Sequence, residues 1–356
     1  MKRGLVLLDP NETAPHELTA RVNELEQSLA VQGVDAALVY GDVYRSGDIT
    51  YLSNLCLYWN EGVLAVQPSR EPALLCKLSP RVHTWMRATS NLKDLRSGPS
   101  LAGLAAEFLE DRTPGVLGLV EMEWWPGVLV DQLGSALSGW ELRDLGDVVS
   151  RRRRRPSAGE RALLALGAKA TARAVSLSLE GDISYLERAG KAELSARLDG
   201  VEDVLVFCHP AGDGATTTEV ASEYRGYWTL AARVLAPNSP RSTPSWMTPL
   251  AHAYRAVEQA LAPGVNIDRL RSAARERLGD DLSWRLELFH HGDLETFGDF
   301  RSLVTALGPL EPGAVVALRL ELDFSNGSQA VMADTYEVEA TGARRLTDIV
   351  GPPGLQ

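Results

Sequence analysis

A chain of 356 residues is too long for one small core and suits two domains of roughly 150 and 200 residues. With 45% hydrophobic and 23% charged residues it reads as a soluble globular protein, and no apolar run approaches the roughly 18 residues of a membrane span. The net charge of −11 argues against a nucleic-acid surface, which needs a concentrated excess of Lys and Arg.

At the start, the apolar run Gly4 to Leu8 behind Met1-Lys2-Arg3 is broken by Asp9 and Pro10, too early for a secretory leader. Cys56, Cys76 and Cys208 show neither CxxC spacing nor an even count, so a disulfide framework is not expected and a cytoplasmic location fits. Between Glu17 and Gln32 the apolar residues Leu18, Val22, Leu25, Leu29 and Val31 mostly recur at three and four, the period of an amphipathic helix, and Gly33 stops it. Val34 to Tyr40, Asn60 to Gln67, Pro72 to Leu78 and Val116 to Val120 read as strands, Val128 to Leu137 as a helix and Leu142 to Leu145 as a closing segment. Alternating helix and strand predict an α/β first domain, residues 1–150.

The run Arg151 to Arg155 follows and reads as a solvated linker at the boundary. Ser157 and Glu160, three apart, predict a capping box opening a helix over Ala162 to Leu179. A shorter helix is expected near Lys191 to Leu198, then a hairpin of Val204 to Cys208 with Thr216 to Tyr224, continued by Gly226-Tyr227-Trp228. Pro249 to Leu261 and Ile267 to Leu278 read as helices parted by Pro263-Gly264. The tail returns to strands, Val315 to Phe324 and Ala330 to Glu339, joined at Ser325-Asn326-Gly327-Ser328. Residues 151–356 are therefore an α+β second domain with antiparallel strands and paired helices.

Several short motifs in order resemble the pita-bread family of creatinase, prolidase and aminopeptidase P. Gly33-Val34-Asp35-Ala36-Ala37-Leu38-Val39 with Tyr51-Leu52-Ser53 looks like its opening strand and turn, and Arg155-Pro156-Ser157-Ala158-Gly159-Glu160 like its helix start. Glu223-Tyr224-Arg225-Gly226-Tyr227-Trp228, Pro263-Gly264-Val265, His290-His291-Gly292 and Asp334-Thr335-Tyr336-Glu337-Val338 follow at similar separations. The resemblance implies a creatinase-like first domain and a pita-bread catalytic domain with a curved antiparallel sheet.

In that family two Asp, one His and two Glu hold a pair of divalent cations whose bound hydroxide attacks the scissile carbon. Carried over by resemblance, these positions fall on Glu219, Leu230, His291, Arg319 and Ala333, with Glu321 and Asp334 near enough to stand in as ligands. An arginine in such a cavity repels a dication, so neither a metal pair nor another cofactor is expected.

Creatinase keeps the fold and cleaves a C–N bond with a histidine base and carboxylates. By that precedent His291 and His209, with Glu219, Arg319 and Glu321, are the candidate catalytic residues. Imidazole suits the work because it both takes and gives a proton near neutral pH. His290 and Asp334, with Tyr58, Trp59 and Asn60 of the first domain, are candidate substrate-binding residues, and the implied state is a homodimer acting on a small-molecule substrate. Blander readings stand beside these. Glu219 could pair with Arg225 at the surface, and Arg319 and Glu321, alternating with Leu318, Leu320 and Leu322, share either a solvent face or the cavity face of a strand. Three functions fit: a metal-independent C–N hydrolase or related enzyme on an amino-acid-derived substrate, a non-catalytic pita-bread binder of a ligand or protein, and an Xaa-Pro metallopeptidase with its ligands elsewhere.

Overall fold

The computed structural model describes residues 7–57, 60–236, 243–297 and 308–349. The chain divides into two compact units, Met1–Arg153 and Arg154–Gln356.

In the first unit helix α1 (Pro15–Gln32) starts on a proline and ends on Gly33 in the left-handed region, φ 64°. Strand β1 (Ala36–Gly41), helix α2 (Gly47–Ser53), strands β2 (Gly62–Val66) and β3 (Ala73–Cys76), helix α3 (His83–Thr89) and strand β4 (Asp94–Ser97) follow. Helix α4 (Leu101–Leu109), strand β5 (Val116–Val120), helix α5 (Gly127–Ala136), strand β6 (Glu141–Asp144) and the single turn α6 (Ser150–Arg153) complete it. The six strands form one mixed sheet in the order β4-β3-β2-β1-β5-β6. Alternation along β1 sends Ala37 and Val39 to one face, with Leu25, Leu29 and Ile49, and Ala36 and Leu38 to the other, with Leu104, Phe108 and Leu133. Helix α2 occupies the stretch around Tyr51 read as a turn, and α3, β4 and α4 fill the segment between Leu78 and Val116, to which the sequence assigned no element.

The arginine run is a solvated linker only in part: the Arg151 and Arg155 side chains are 71% and 64% exposed, whereas Arg152 and Arg153 are drawn in. Arg153 is buried and donates to buried Asp48 at 2.8 Å, Arg152 donates to Ser28 Oγ at 2.8 Å, and Arg151 pairs with Asp147 at 2.5 Å. In the second unit Arg155 pairs with Glu311 at 2.5 Å. The guanidiniums of Arg151, Arg152, Arg153 and Arg155 found a carboxylate or hydroxyl distant in sequence or one turn away, which charge counting along the run does not reveal.

The second unit opens with helices α7 (Ala158–Ser178) and α8 (Tyr185–Leu198), both entered through capping boxes, Ser157 with Glu160 and Ser184 with Glu187. Strands β7 (Asp203–Pro210), β8 (Thr216–Tyr224) and β9 (Tyr227–Leu235), helices α9 (Met247–Ala260) and α10 (Ile267–Leu278), then strands β10 (Ser283–His290), β11 (Val315–Asp323), β12 (Gln329–Glu339) and β13 (Gly342–Arg345) complete it. The antiparallel sheet runs β10-β11-β12-β9-β8-β7, with β13 on β12.

One face of this sheet is covered by helices: α9 and α10 bury Leu318, Leu320, Met332 and Tyr336, while α7 and α8 bury Val220 and Ala231. The opposite face, called inner here, carries Ala221, Leu230, Ala232, Phe289, Ala317 and Ala333, against which Leu294 and Phe297 pack. At mid-sheet β9 and β12 share only the pair Ala232 and Ala333, and side chains replace the missing ladder. Thr335 Oγ1 accepts from Leu230 N and donates to Leu230 O, each at 2.9 Å, and Thr217 Oγ1 donates to Gln329 O at 3.1 Å and accepts from Val331 N at 3.3 Å.

Candidate active site on the inner sheet face

One register row crosses the inner face through Glu287, Arg319, Ala333, Ala232, Glu219 and Phe207. The two alanines at its centre leave room for the Arg319 side chain to lie across the seam. Arg319 Nε donates to Glu219 Oε1 at 2.7 Å and Nη2 to Glu219 Oε2 at 3.3 Å. Nη1 donates to Glu287 Oε2 at 2.8 Å, and Nη2 lies 2.6 Å from Glu321 Oε2. Arg319 is 9% exposed, Glu219 3% and Glu321 1%. Burial works against the guanidinium charge, and Glu219, Glu321 and Glu287 more than offset it, so its pKa is raised.

Arg319 and Glu321 therefore take the cavity side of β11, and Arg225 pairs with Glu202 at 2.7 Å, leaving Glu219 to Arg319. Toward the end of the face, Glu321 also accepts from Arg285 and from Gln329 Nε2 at 3.0 Å, and Gln329 bonds Asp323 at 2.9 Å. Glu287, Arg285, Gln329 and Thr217 were not expected from sequence. The alternation Arg285, Glu287, Phe289 marks β10 as a two-faced strand and carried the signal for the first two.

His209 is half-buried and pairs with Thr217, whose hydroxyl reaches Val331, the register partner of Glu321. It is one row from Arg319, a diagonal neighbour of Glu219 at about 7–8 Å between backbones. His291 lies the other way. It is 2% exposed, and its ring packs 5.7 Å from that of Tyr227, whose hydroxyl donates to Glu160 at 3.0 Å. Along β10, Arg285 in the row of His209 and His291 are about 20 Å apart at roughly 3.4 Å per residue. The two histidines do not converge on one reacting atom, and the row of Phe289 and Ala317 separates His291 from Arg319.

Asp334 corrects a second expectation. It pairs with Leu318 in register and points to the helix side of the sheet, away from Arg319. There, fully buried, it accepts from Arg233 at 2.9 Å, Thr347 at 2.7 Å and Tyr254 at 3.1 Å. Burial and the Asp334 charge hold the Tyr254 hydroxyl protonated, well above its ordinary pKa, so it stays a donor. His290 also faces away from the Arg319 row, and burial, with the nearby Arg154 charge, lowers its pKa to about 4. In the first unit Asn60 accepts from Glu61 N at 2.8 Å, and Tyr58 and Trp59 lie outside the described residues.

These donors do not fit a pair of dications. Leu230, Arg319 and Ala333 share the inner face with Glu219, and Glu219 and Glu321 are turned onto a guanidinium. Among the described residues no group of three or more His, Cys, Asp or Glu could hold a metal ion.

No family model matches the chain, and no curated protein sequence does. Solved structures do. The prolidase from Pyrococcus horikoshii OT3 superposes with a TM-score of 0.77 at 16% identity, over 93% of this chain and 99% of that one. The X-Pro aminopeptidase from Thermotoga maritima MSB8 gives 0.77 at 16%, over 92% and 98%, and the Xaa-Pro dipeptidase from Bacillus anthracis 0.75 at 14%, over 94% and 99%. Identity this low carries architecture and leaves chemistry to the residues. The chain has the pita-bread fold of the prolidases and Xaa-Pro aminopeptidases.

Proposed function

We propose that the second unit is a metal-independent hydrolase of the creatinase type, cleaving a C–N bond in a small, cationic, amino-acid-derived compound. The observation that carries this reading is Arg319, which lies with its N–H groups on Glu219, Glu287 and Glu321 where a metal pair would need oxygens. The guanidinium does the structural part of a metal's work, tying β8 to β10 and β11 across the seam. With so many of its donors engaged it is a poor clamp for a substrate carboxylate.

Chemistry then falls to His209, the half-buried base beside this cluster. It would take a proton from an attacking water and return it to the leaving nitrogen, so that water adds across the C–N bond and the enzyme ends unchanged. Glu219, Glu287 and Glu321 against Arg319 and Arg285 leave the cluster one negative charge, which favours a cationic substrate group. The same base and carboxylates also suit an elimination.

A second reading, a non-catalytic binder, fits the same substitutions, with Leu230, Arg319 and Ala333 at the ligand positions. The structural neighbours include an Xaa-Pro dipeptidase and an X-Pro aminopeptidase, and that activity here would require ligands at Leu230, Arg319 and Ala333. One experiment separates the three: turnover of small amides, guanidino compounds and Xaa-Pro dipeptides by wild type and His209→Asn, with and without chelator. Chelator-resistant turnover of a small cation that His209→Asn abolishes supports the proposal. Chelator-sensitive dipeptide cleavage restores the peptidase reading, and saturable binding without turnover the binder.

A further inference from the structure

A cleft of about 650 Å³ lies wholly within the first unit, between α1 and the two segments that lead into β3 and β4. Pro15, Thr19, Asn23 and Glu26 recur at three and four and line it from one stripe of α1. Residues 69–72, ahead of β3, and 91–93, ahead of β4, complete the wall, and the buried Val22, Leu52 and Leu92 give the cleft an apolar floor. The stripe from Pro15 to Glu26 is about 16 Å long at roughly 1.5 Å per residue.

The cations along the cleft are already paired with other groups. Arg70 donates to Phe108 O at 2.7 Å and to Asp111 at 3.1 Å, and Lys93 donates to Glu71 at 2.9 Å. Glu26 is left without one. No cation acts on its half-buried carboxyl group: burial raises its pKa, and only a hydrogen bond from the Ser69 N–H opposes that. A carboxylate has about four acceptor positions, and one N–H leaves most of them open. Asn91 lines the same cleft, and its amide oxygen is shut off from solvent with no donor. An acceptor left in that state costs stability, which a ligand bringing a donor would recover. An apolar floor, an uncompensated carboxylate and an unsatisfied amide oxygen together select a cation that carries hydrocarbon and a second donor.

We propose that this cleft binds a small primary amine, with its ammonium on Glu26, its hydrocarbon part over Val22, Leu52 and Leu92, and a second donor on Asn91. Glu26 also has a plain structural duty. Ser69 stands in the left-handed region at φ 66°, and the carboxyl group of Glu26 holds its N–H. A glutamine at position 26 keeps an oxygen for that N–H and loses only the charge, so the two duties can be measured apart.

The test is calorimetric titration of the full chain with linear amino alcohols of roughly four to eight carbons, lengths that the stripe accommodates, beside the matching alkylamines and diols. The best-fitting amino alcohol should saturate with a Kd below about 1 mM, and its diol should bind at least about tenfold more weakly for want of the ammonium. Its alkylamine should be about threefold weaker, an advantage of the hydroxyl that Asn91→Leu removes. Glu26→Gln should weaken the amine at least about tenfold at an unchanged melting temperature. Thr19→Trp, which fills the cleft from an exposed position of α1, should abolish binding and leave the fold intact. The proposal is overturned if no amine saturates by about 10 mM. Diols that bind as well as amines overturn it too, since the cleft is then merely apolar. So does binding that survives Glu26→Gln or Thr19→Trp, which places the amine elsewhere, the inner sheet face included, and leaves the hydrolase reading untouched. An amino alcohol that gains nothing over its alkylamine at any length refutes the part given to Asn91.

Discussion

Replacing Arg319 by Met keeps much of the side-chain volume and removes the charge. In the wild type Arg319 is 9% exposed and bonds Glu219 at 2.7 Å, Glu287 at 2.8 Å and Glu321 at 2.6 Å. Glu321 keeps Arg285 and Gln329 after the change, and Glu287 is partly open to solvent, so Glu219 bears most of the loss. Breaking a buried ion pair from one side costs about 3–5 kcal/mol, because a carboxylate stays desolvated without its cation. For a unit of this size that lowers the melting temperature by roughly 10 °C. Arg319→Met/Glu219→Gln should recover more than half of the loss, since the stranded charge is gone. Arg319→Lys should fall between, its point charge unable to span three carboxylates. Urea denaturation at neutral pH reads all four proteins. A loss under about 1 kcal/mol in Arg319→Met, or no recovery in the double variant, would falsify the view that this cation ties the halves of the sheet together.

His209→Asn should abolish turnover at an unchanged melting temperature, whereas His291→Asn, packed on Tyr227, should lower stability and spare turnover; activity and melting curves on both variants check this. His290 has a folded pKa of about 4, below its ordinary 6.5, so its contribution to stability is full above pH 6.5 and is lost as pH falls toward 4. Imidazole resonances followed by NMR should show His290 neutral to about pH 4, and a midpoint near 6.5 would contradict the burial argument.

Particular residues explain how much the sequence disclosed. The placement of Arg319 and Glu321 inside was one of two readings that a period-two strand allows; the deciding fact, Glu219, lies a hundred residues away along the chain. The same alternation, applied to β12, sets Asp334 with Ala330, Met332 and Tyr336 on the helix side, but its partners Arg233 and Tyr254 come from other elements. Ser157 with Glu160 announced α7 correctly. The equivalent pair Ser184 and Glu187 announced α8 a turn and a half before Lys191, where the weakly patterned apolar residues suggested a start. That weak pattern has a cause, since all three leucines of α8 point outward and its buried side is Arg188, Ala192, Ser195 and Ala196. Helix α4 carried a legible signal in Ser100, whose hydroxyl accepts from Gly103 N at 3.2 Å. The separation of His209 from His291 was beyond reach, because it depends on which strands are neighbours.

The central claim is that a guanidinium has replaced the metal pair of this fold, and the metal content of protein purified without chelator tests it most directly. The expected result is well under one divalent ion per chain, with turnover and melting temperature unmoved by chelation, because Leu230, Arg319 and Ala333 stand where oxygens would be required. Two tightly held divalent ions per chain, with activity lost on their removal and regained on their return, would contradict it.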